Sequence, residues 1–202
     1  METPLTLIYT HNIRGELALL PRMYTFMRRL RGELAAGRTL FIDLGASCDL
    51  DVWPCAITEG RSTLIVLDAM GYYAANVQGV LTPVSRARLA GQVTLHLVDD
   101  KHPQIDDGLA FVSAADIHVD PIQLRVVLAP ADAATYAKGT LTLTALEAGQ
   151  VGVARIAADG KLHHSLHDLP ADTPPEPTIS GAVEFVRGEA RYFEKRQRGD
   201  EG

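Results

Sequence analysis

The residues most capable of chemistry fall in a few short clusters. The densest is His163-His164-Ser165-Leu166-His167-Asp168. On a helix, His163 and His167 would share a face and form a rudimentary zinc pair. On a strand, His163, Ser165 and His167 would share a face instead. The run follows an Asp159-Gly160 turn, so we read it as the second arm of a hairpin with polar residues on a solvated face. Asp99-Asp100 and Asp106-Asp107-Gly108, with His102 between them, have the composition of a calcium loop. They lack its alternating oxygen ligands and closing glutamate, and a turn-rich acidic loop is expected. Cys48 with His11 as its base is a candidate nucleophile, although no third group orients the pair. Ser47 lacks a Gly-x-Ser-x-Gly elbow. Arg14 stands between an apolar run and a helical pattern, where anions are favoured. Its guanidinium could hold phosphate or carboxylate in two-pronged fashion. The competing reading is an internal ion pair, for example to Asp43, or a solvated loop arginine.

These residues need elements to position them. Leu5–Thr10 is a buried strand by its apolar, β-prone run. Leu20, Met23, Met27, Leu30 and Leu34 recur at steps of three and four, one face of an amphipathic helix. Arg22, Arg28, Arg29 and Arg31 fall on its wet side, Pro21 suits its first turn and Gly37 follows its end. Thr39–Asp43 is a second strand, Arg61–Met70 a second helix and Tyr72–Val77 a third strand. The order β-α-β-α-β predicts a parallel sheet covered by helices. After a short helix over 85–92 come six strand-like runs: 93–99, 109–113, 122–129, 140–147, 151–157 and 161–167. Turn residues separate several of them, so this half is expected to be mainly antiparallel. A proline-rich linker over 170–178 precedes a final amphipathic helix over 179–198, marked by Ile179, Ala182, Val183, Val186, Ala190 and Phe193. Its basic end, Lys195-Arg196-Gln197-Arg198, suits the negative end of a helix dipole. Residues 1–169 make the main domain, with the last helix packing on it or across a dimer.

Composition narrows the function. The 202 residues are 47% hydrophobic and 22% charged, an ordinary globular balance with enough apolar material for a sizeable core. Lys and Arg number 19 against 25 Asp and Glu, a formal net charge of −6, which disfavours nucleic acid as a partner. Two cysteines exclude a disulfide scaffold and a four-cysteine zinc site. The opening Met1-Glu2-Thr3-Pro4 has no secretory pattern, and the apolar runs are too short to span a membrane. A cytoplasmic protein with Cys48 and Cys55 as reduced thiols, apart from membranes, is the expectation, with a Cys48–Cys55 disulfide as the geometrically possible alternative that a reducing compartment disfavours.

Four blocks in the first 81 residues carry a resemblance: Thr10-His11-Asn12-Ile13-Arg14-Gly15, Asp43-Leu44-Gly45-Ala46, Gly71-Tyr72-Tyr73 and Gln78-Gly79-Val80-Leu81. In order and spacing they resemble the 5′-nucleotidase branch of the calcineurin-like metallophosphoesterases, whose blocks read Thr-Asn-Asp-Ile-His-Gly, Asp-Ala-Gly-Asp, Gly-Tyr-Asp and Gly-Asn-His-Glu. Val151-Gly152-Val153-Ala154 looks like a later family strand, and Ala182–Arg196 like the helix after it. The resemblance implies an α/β fold of two packed sheets with helices outside, and two metal ions that activate water on a phosphate ester.

The ligands of that chemistry do not carry over. Asn12, Arg14, Ala46, Gly79 and Val80 stand where the family has Asp, His, Asp, Asn and His. The family's later Gly-His-x-His loops would follow the last helix, beyond Gly202. The expectation is therefore a truncated, non-catalytic relative with no metal or other cofactor, serving as a binding or assembly module. Asn12, Arg14, Asp43 and Ser47 are the candidate anion-binding residues for a phosphate or nucleotide. Truncation would leave an edge or face uncovered, which a homo-oligomer would cover. The alternative is a phosphoester hydrolase with a relocated metal site built from His11, Asp43, Asp49 or the cluster over 163–168. A third reading, a structural subunit of a larger complex, implies a long apolar surface on the last helix and no pocket at the strand ends.

Overall fold

Alternation along the first strand sets the layering. In the computed structural model, which describes residues 4–34, 37–119 and 122–199, β1 (Leu5–Thr10) is buried along its whole length. Leu5, Leu7 and Tyr9 point to one side and Ile8 to the other, so the strand needs a packed layer on each. One layer is helical. Here α1 (Leu20–Glu33) follows a short 3-10 turn and presents the expected stripe of Leu20, Met23, Met27 and Leu30, joined by Phe26. The chain returns as β2 (Arg38–Asp43), crosses as α2 (Arg61–Ala69) and returns again as β3 (Tyr72–Asn76). Then α3 (Pro83–Ala90), capped by the Thr82 hydroxyl on the Ser85 N–H at 3.1 Å, leads to β4 (His96–Val98). The pairs β1–β2, β2–β3 and β3–β4 are all parallel, as the β-α-β-α-β order requires.

The second layer is another sheet. Its strands are β5 (Gln104–Asp106), β6 (Leu109–Val112), β7 (Leu124–Ala131), β8 (Thr135–Ala137) and β9 (Thr140–Thr144), in the order β5-β6-β7-β9-β8. Finally β10 (Gln150–Ile156) and β11 (Leu162–Asp168) extend the first sheet to β11-β10-β1-β2-β3-β4. Phe111, Leu124, Val126, Leu128, Leu141 and Leu143 pack against Leu7, Tyr9 and Ile42 between the sheets. The protein is thus an α/β structure of two mixed sheets, with helices against the larger one.

Most pairings in the second half are antiparallel, as expected: β1–β10, β10–β11, β5–β6 and β8–β9. Turn residues do close hairpins at Asp107-Gly108 and Lys138-Gly139, where both residues of each pair have positive φ, as a two-residue hairpin turn demands. However, β6–β7 and β7–β9 are parallel. Between β6 and β7 no helix occurs among the described residues, and β8, which lies between β7 and β9 along the chain, takes the edge of the sheet beyond β9. Short strands such as β5 and β8 carry too little alternation to be read from sequence. Pro130 sits in β7 at a break in register between Val126 and Pro130, where no ladder hydrogen bond is demanded of it.

The last helix, α4 (Pro177–Gly199), begins at Pro177 rather than Ile179 and buries Ile179, Val183, Val186 and Ala190 against α1 and α2. Glu176 caps it, its carboxylate accepting the Ile179 N–H at 2.8 Å. Arg22 is not on a wet face. Its guanidinium donates to the carbonyls of Pro170 and Ala171 at 2.8 Å and of Thr173 at 3.1 Å, pinning the linker onto α1. Among the described residues no helix is long and apolar enough to cross a membrane. Met1-Glu2-Thr3 lies outside the described residues.

Tyr9 and Gly152 fit closely across neighbouring strands. They are paired across β1 and β10, and the tyrosine ring lies where a Gly152 side chain would be. The ring continues across β10 to place its hydroxyl 2.8 Å from His164 Nε2 on β11. Burial pushes the Tyr9 phenol above its usual pKa. Gly152→Ala is expected to destabilise the fold by about 1–3 kcal/mol, because the core must shift to admit a methyl group. Urea unfolding checks this, and an unchanged midpoint would show that the ring is free to move.

Candidate functional site

Parallel strands deliver their carboxyl ends to one side of the sheet, and ligands of such sheets sit just beyond those ends. Here the loops after β1 and β2 are joined by main-chain hydrogen bonds that continue past the strands. Leu44 N donates to Thr10 O at 2.8 Å, Asn12 N to Gly45 O at 3.1 Å, Arg14 N to Ala46 O at 2.9 Å and Gly15 N to Ser47 O at 2.9 Å. Asn12, Arg14 and Ala46 are all left-handed, with φ of 60°, 54° and 51°. That conformation is costly for alanine and cheaper for asparagine.

Of the candidate anion-binding residues, Asn12 and Arg14 reach the surface, whereas Asp43 and Ser47 are fully buried beneath them. Arg14 pairs with Asp49 rather than Asp43. Its Nη2 and Nε donate to Asp49 Oδ2 at 2.7 and 3.3 Å, and the guanidinium is 58% exposed. The pairing follows from loop direction: Asp43 points under the zipped loops, while Asp49 lies on the outward turn after them. The hydrogen bond from Arg14 and the Asp51 N–H hold the Asp49 carboxyl below its usual pKa. Ser47 Oγ is buried with no hydrogen-bond partner among the described residues.

Asp43 ends β2 inside a polar chain. Thr10 Oγ1 donates to its Oδ1 at 2.9 Å and Gly45 N to its Oδ2 at 3.0 Å. Thr10 also meets Tyr72 Oη at 3.1 Å, and Tyr72 donates to Met27 Sδ at 3.4 Å. Burial outweighs the two hydrogen bonds and pushes Asp43 up to about 7.

Cys48 and Cys55 form a disulfide, correcting the expectation of reduced thiols. The turn-rich loop after β2 brings their Cα atoms to 5.7 Å, within bridging range, so the geometrically possible pairing prevails over the compartment-based one. A Cβ on Gly15 would stand 2.7 Å from Cys55 Sγ, so the bridge packs directly beneath the loop after β1. The Cys48–His11 nucleophile is thereby removed. His11 turns instead to the β9–β10 connection, its Nδ1 lying 3.0 Å from Leu146 O and 3.3 Å from Leu146 N.

Gly79 and Val80 occupy the loop after β3. Gly79 has φ of 74° with open space above it, and Val80 is buried. A cleft of about 430 Å³ opens beside Gly79, lined also by Gln78, Arg86, Asp99, Lys101 and His102. Asp99 organises it, contacting Arg86 Nε at 2.7 Å and His102 Nδ1 at 2.7 Å while accepting the Lys101 N–H at 2.9 Å. Burial pushes Asp99 up, but those hydrogen bonds and the Arg86 charge leave it below its usual pKa. Sequence reasoning saw the acidic turn here but not Arg86, which comes from a different element; the Asp99–His102 spacing was the available signal.

The cluster over 163–168 lies on β11, an edge strand, as the hairpin reading expected. His164 faces Tyr9, whereas His167 lies against Phe26 on the opposite face. Among the described residues no three His, Cys, Asp or Glu side chains gather as a metal-binding group. Compared with known proteins, the chain matches no family model and no curated protein.

Two outcomes follow. Reducing the Cys48–Cys55 bridge should cost about 2–3 kcal/mol of stability by the loop-entropy argument. Thiol labelling before and after reduction, followed by urea titration, measures it; labelling of the unreduced protein would contradict the bridge. Asp43 stays protonated in the fold up to about pH 7, whereas unfolded it ionises near about pH 4. Its contribution is present below about pH 4 and is lost as pH rises towards 7, by up to about 1.4 kcal/mol per unit. Asp43→Asn should abolish that slope, so the variant gains on the wild type between pH 5 and 7 in thermal unfolding and the gap then levels off. Parallel pH profiles would refute the assignment.

Proposed function

We propose that this chain is a non-catalytic relative of the 5′-nucleotidase branch of the calcineurin-like metallophosphoesterases, a pseudoenzyme acting as a self-associating binding module. Two packed mixed sheets with helices on the larger one support the reading, as do three loops gathered at the carboxyl ends of β1, β2 and β3. The observation that carries it is the charge at position 14. A guanidinium held by Asp49 occupies the loop where the resemblance calls for an imidazole ligand.

The donor set does not fit a pair of divalent ions. Asn12 offers one neutral amide oxygen, Ala46 and Gly79 offer no side-chain donor, and Val80 is buried. A fixed positive charge beside them opposes cations further. The same loops suit an anion: Arg14 remains accessible, its two bonds converge on a single Asp49 oxygen, and a phosphate or nucleotide can compete for it. A cytoplasmic setting belongs to this proposal. There the Cys48–Cys55 bridge would be kept by burial, with Cys48 6% and Cys55 0% exposed, rather than by an oxidising compartment.

Calorimetry with inorganic phosphate and adenosine monophosphate tests the anion site. Arg14→Ala should abolish binding, while Asp49→Asn should tighten it about tenfold by releasing the guanidinium. No heat with the wild type ends the anion reading. Turnover of a generic phosphate ester with added manganese, abolished by chelator, would replace the pseudoenzyme by the hydrolase alternative.

A further inference from the structure

The outward face of α4 carries two exposed aromatic side chains: Phe185 is 65% exposed and Tyr192 58%. Gly181 and Gly188 lie on the same strip, giving Gly181-Phe185-Gly188-Tyr192 at steps of four, three and four, all exposed. Glycine weakens a helix interior relative to alanine, so two on one face call for a reason. The chain itself provides none. Nothing lies within 4 Å of a Cβ built on either glycine, and neither has a positive φ.

We propose that α4 packs antiparallel against α4 of a second copy across a two-fold axis, with each aromatic side chain seated over a glycine of the partner. Turning one helix end for end about the midpoint between Val186 and Arg187 exchanges Phe185 with Gly188 and Tyr192 with Gly181. Each large residue then faces a gap, and both gaps are filled by the same operation. Charge agrees with this register. Glu184 and Arg191 lie on the same flank of the strip, both exposed, and antiparallel helices bring like flanks together. Glu184 of one copy therefore approaches the partner's Arg191, and the symmetry repeats the pair. A foreign helix would need neither the end-for-end match of size nor that of charge. This inference rests on the self-association part of the preceding proposal and names its surface; it is independent of the loops beyond β1 and β2.

Light scattering at micromolar concentration is expected to give twice the chain mass of 21.9 kDa. Gly188→Leu fills the gap with a stronger helix former on an exposed face, so it should keep the fold by circular dichroism while weakening the dimer by about tenfold or more. Glu184→Arg should weaken it about fivefold by opposing Arg191, and the double variant Glu184→Arg, Arg191→Glu should restore it. A monomeric wild type overturns both this interface and self-association. A dimer indifferent to Gly188→Leu and to the charge reversal overturns this interface alone and leaves self-association standing.

Discussion

Main-chain hydrogen bonding between the first two strands does not stop where the strands stop. It runs from Leu5 opposite Arg38 to Thr10 opposite Asp43 and then on through the loops to Gly15 and Ser47. Every other feature of the strand-end surface hangs from that ladder. It buries Asp43 and Ser47, turns Arg14 outwards to Asp49 and sets Gly15 against the disulfide. A loop held by its own backbone is rigid without needing particular side chains at its tips, and this is why left-handed Ala46 can persist where a freer loop would relax.

The larger sheet is covered on both faces by different means. Helices α1, α2 and α4 cover one face through a conventional stripe of Leu, Met, Val and Phe. The smaller sheet covers the other, and Tyr9 joins the two arrangements by reaching across Gly152 to the edge strand. Asn76 performs a similar task at the strand ends. It donates to Leu44 O and Leu128 O, so the end of β3 is tied both to the loop after β2 and to the opposite sheet. Polar side chains in these positions fix register, while the apolar ones supply most of the burial.

Much of the first half was legible because its signals are local and periodic. The stripe from Leu20 to Leu30 and the apolar run from Leu5 to Thr10 each specify their element without help from the rest of the chain. The antiparallel hairpins of the second half were legible from their turns, but the parallel pairing of β7 with β6 and β9 was not, because nothing in Leu109–Val112 or Leu124–Ala131 records which neighbour will accept its hydrogen bonds. At the strand ends, the positions of Asn12, Arg14 and Ala46 were readable from their spacing. Which of them would be exposed was not: Asp43 and Asp49 are equally acidic in sequence, and only the fold decides that one is buried and the other receives Arg14. The cysteine bridge was obscured for a related reason, since thiol proximity is a property of the loop's path.

Because Arg22 grips three carbonyls of the segment before α4, the final helix does not hang on a free tether. Its docking is keyed to the first turn of α1, whose Pro21 carbonyl also accepts the Glu176 N–H at 3.0 Å. The start of α4 is thus tied to the first turn of α1, immediately downstream of the loop that carries Arg14, so the last helix and the first loop share one anchor.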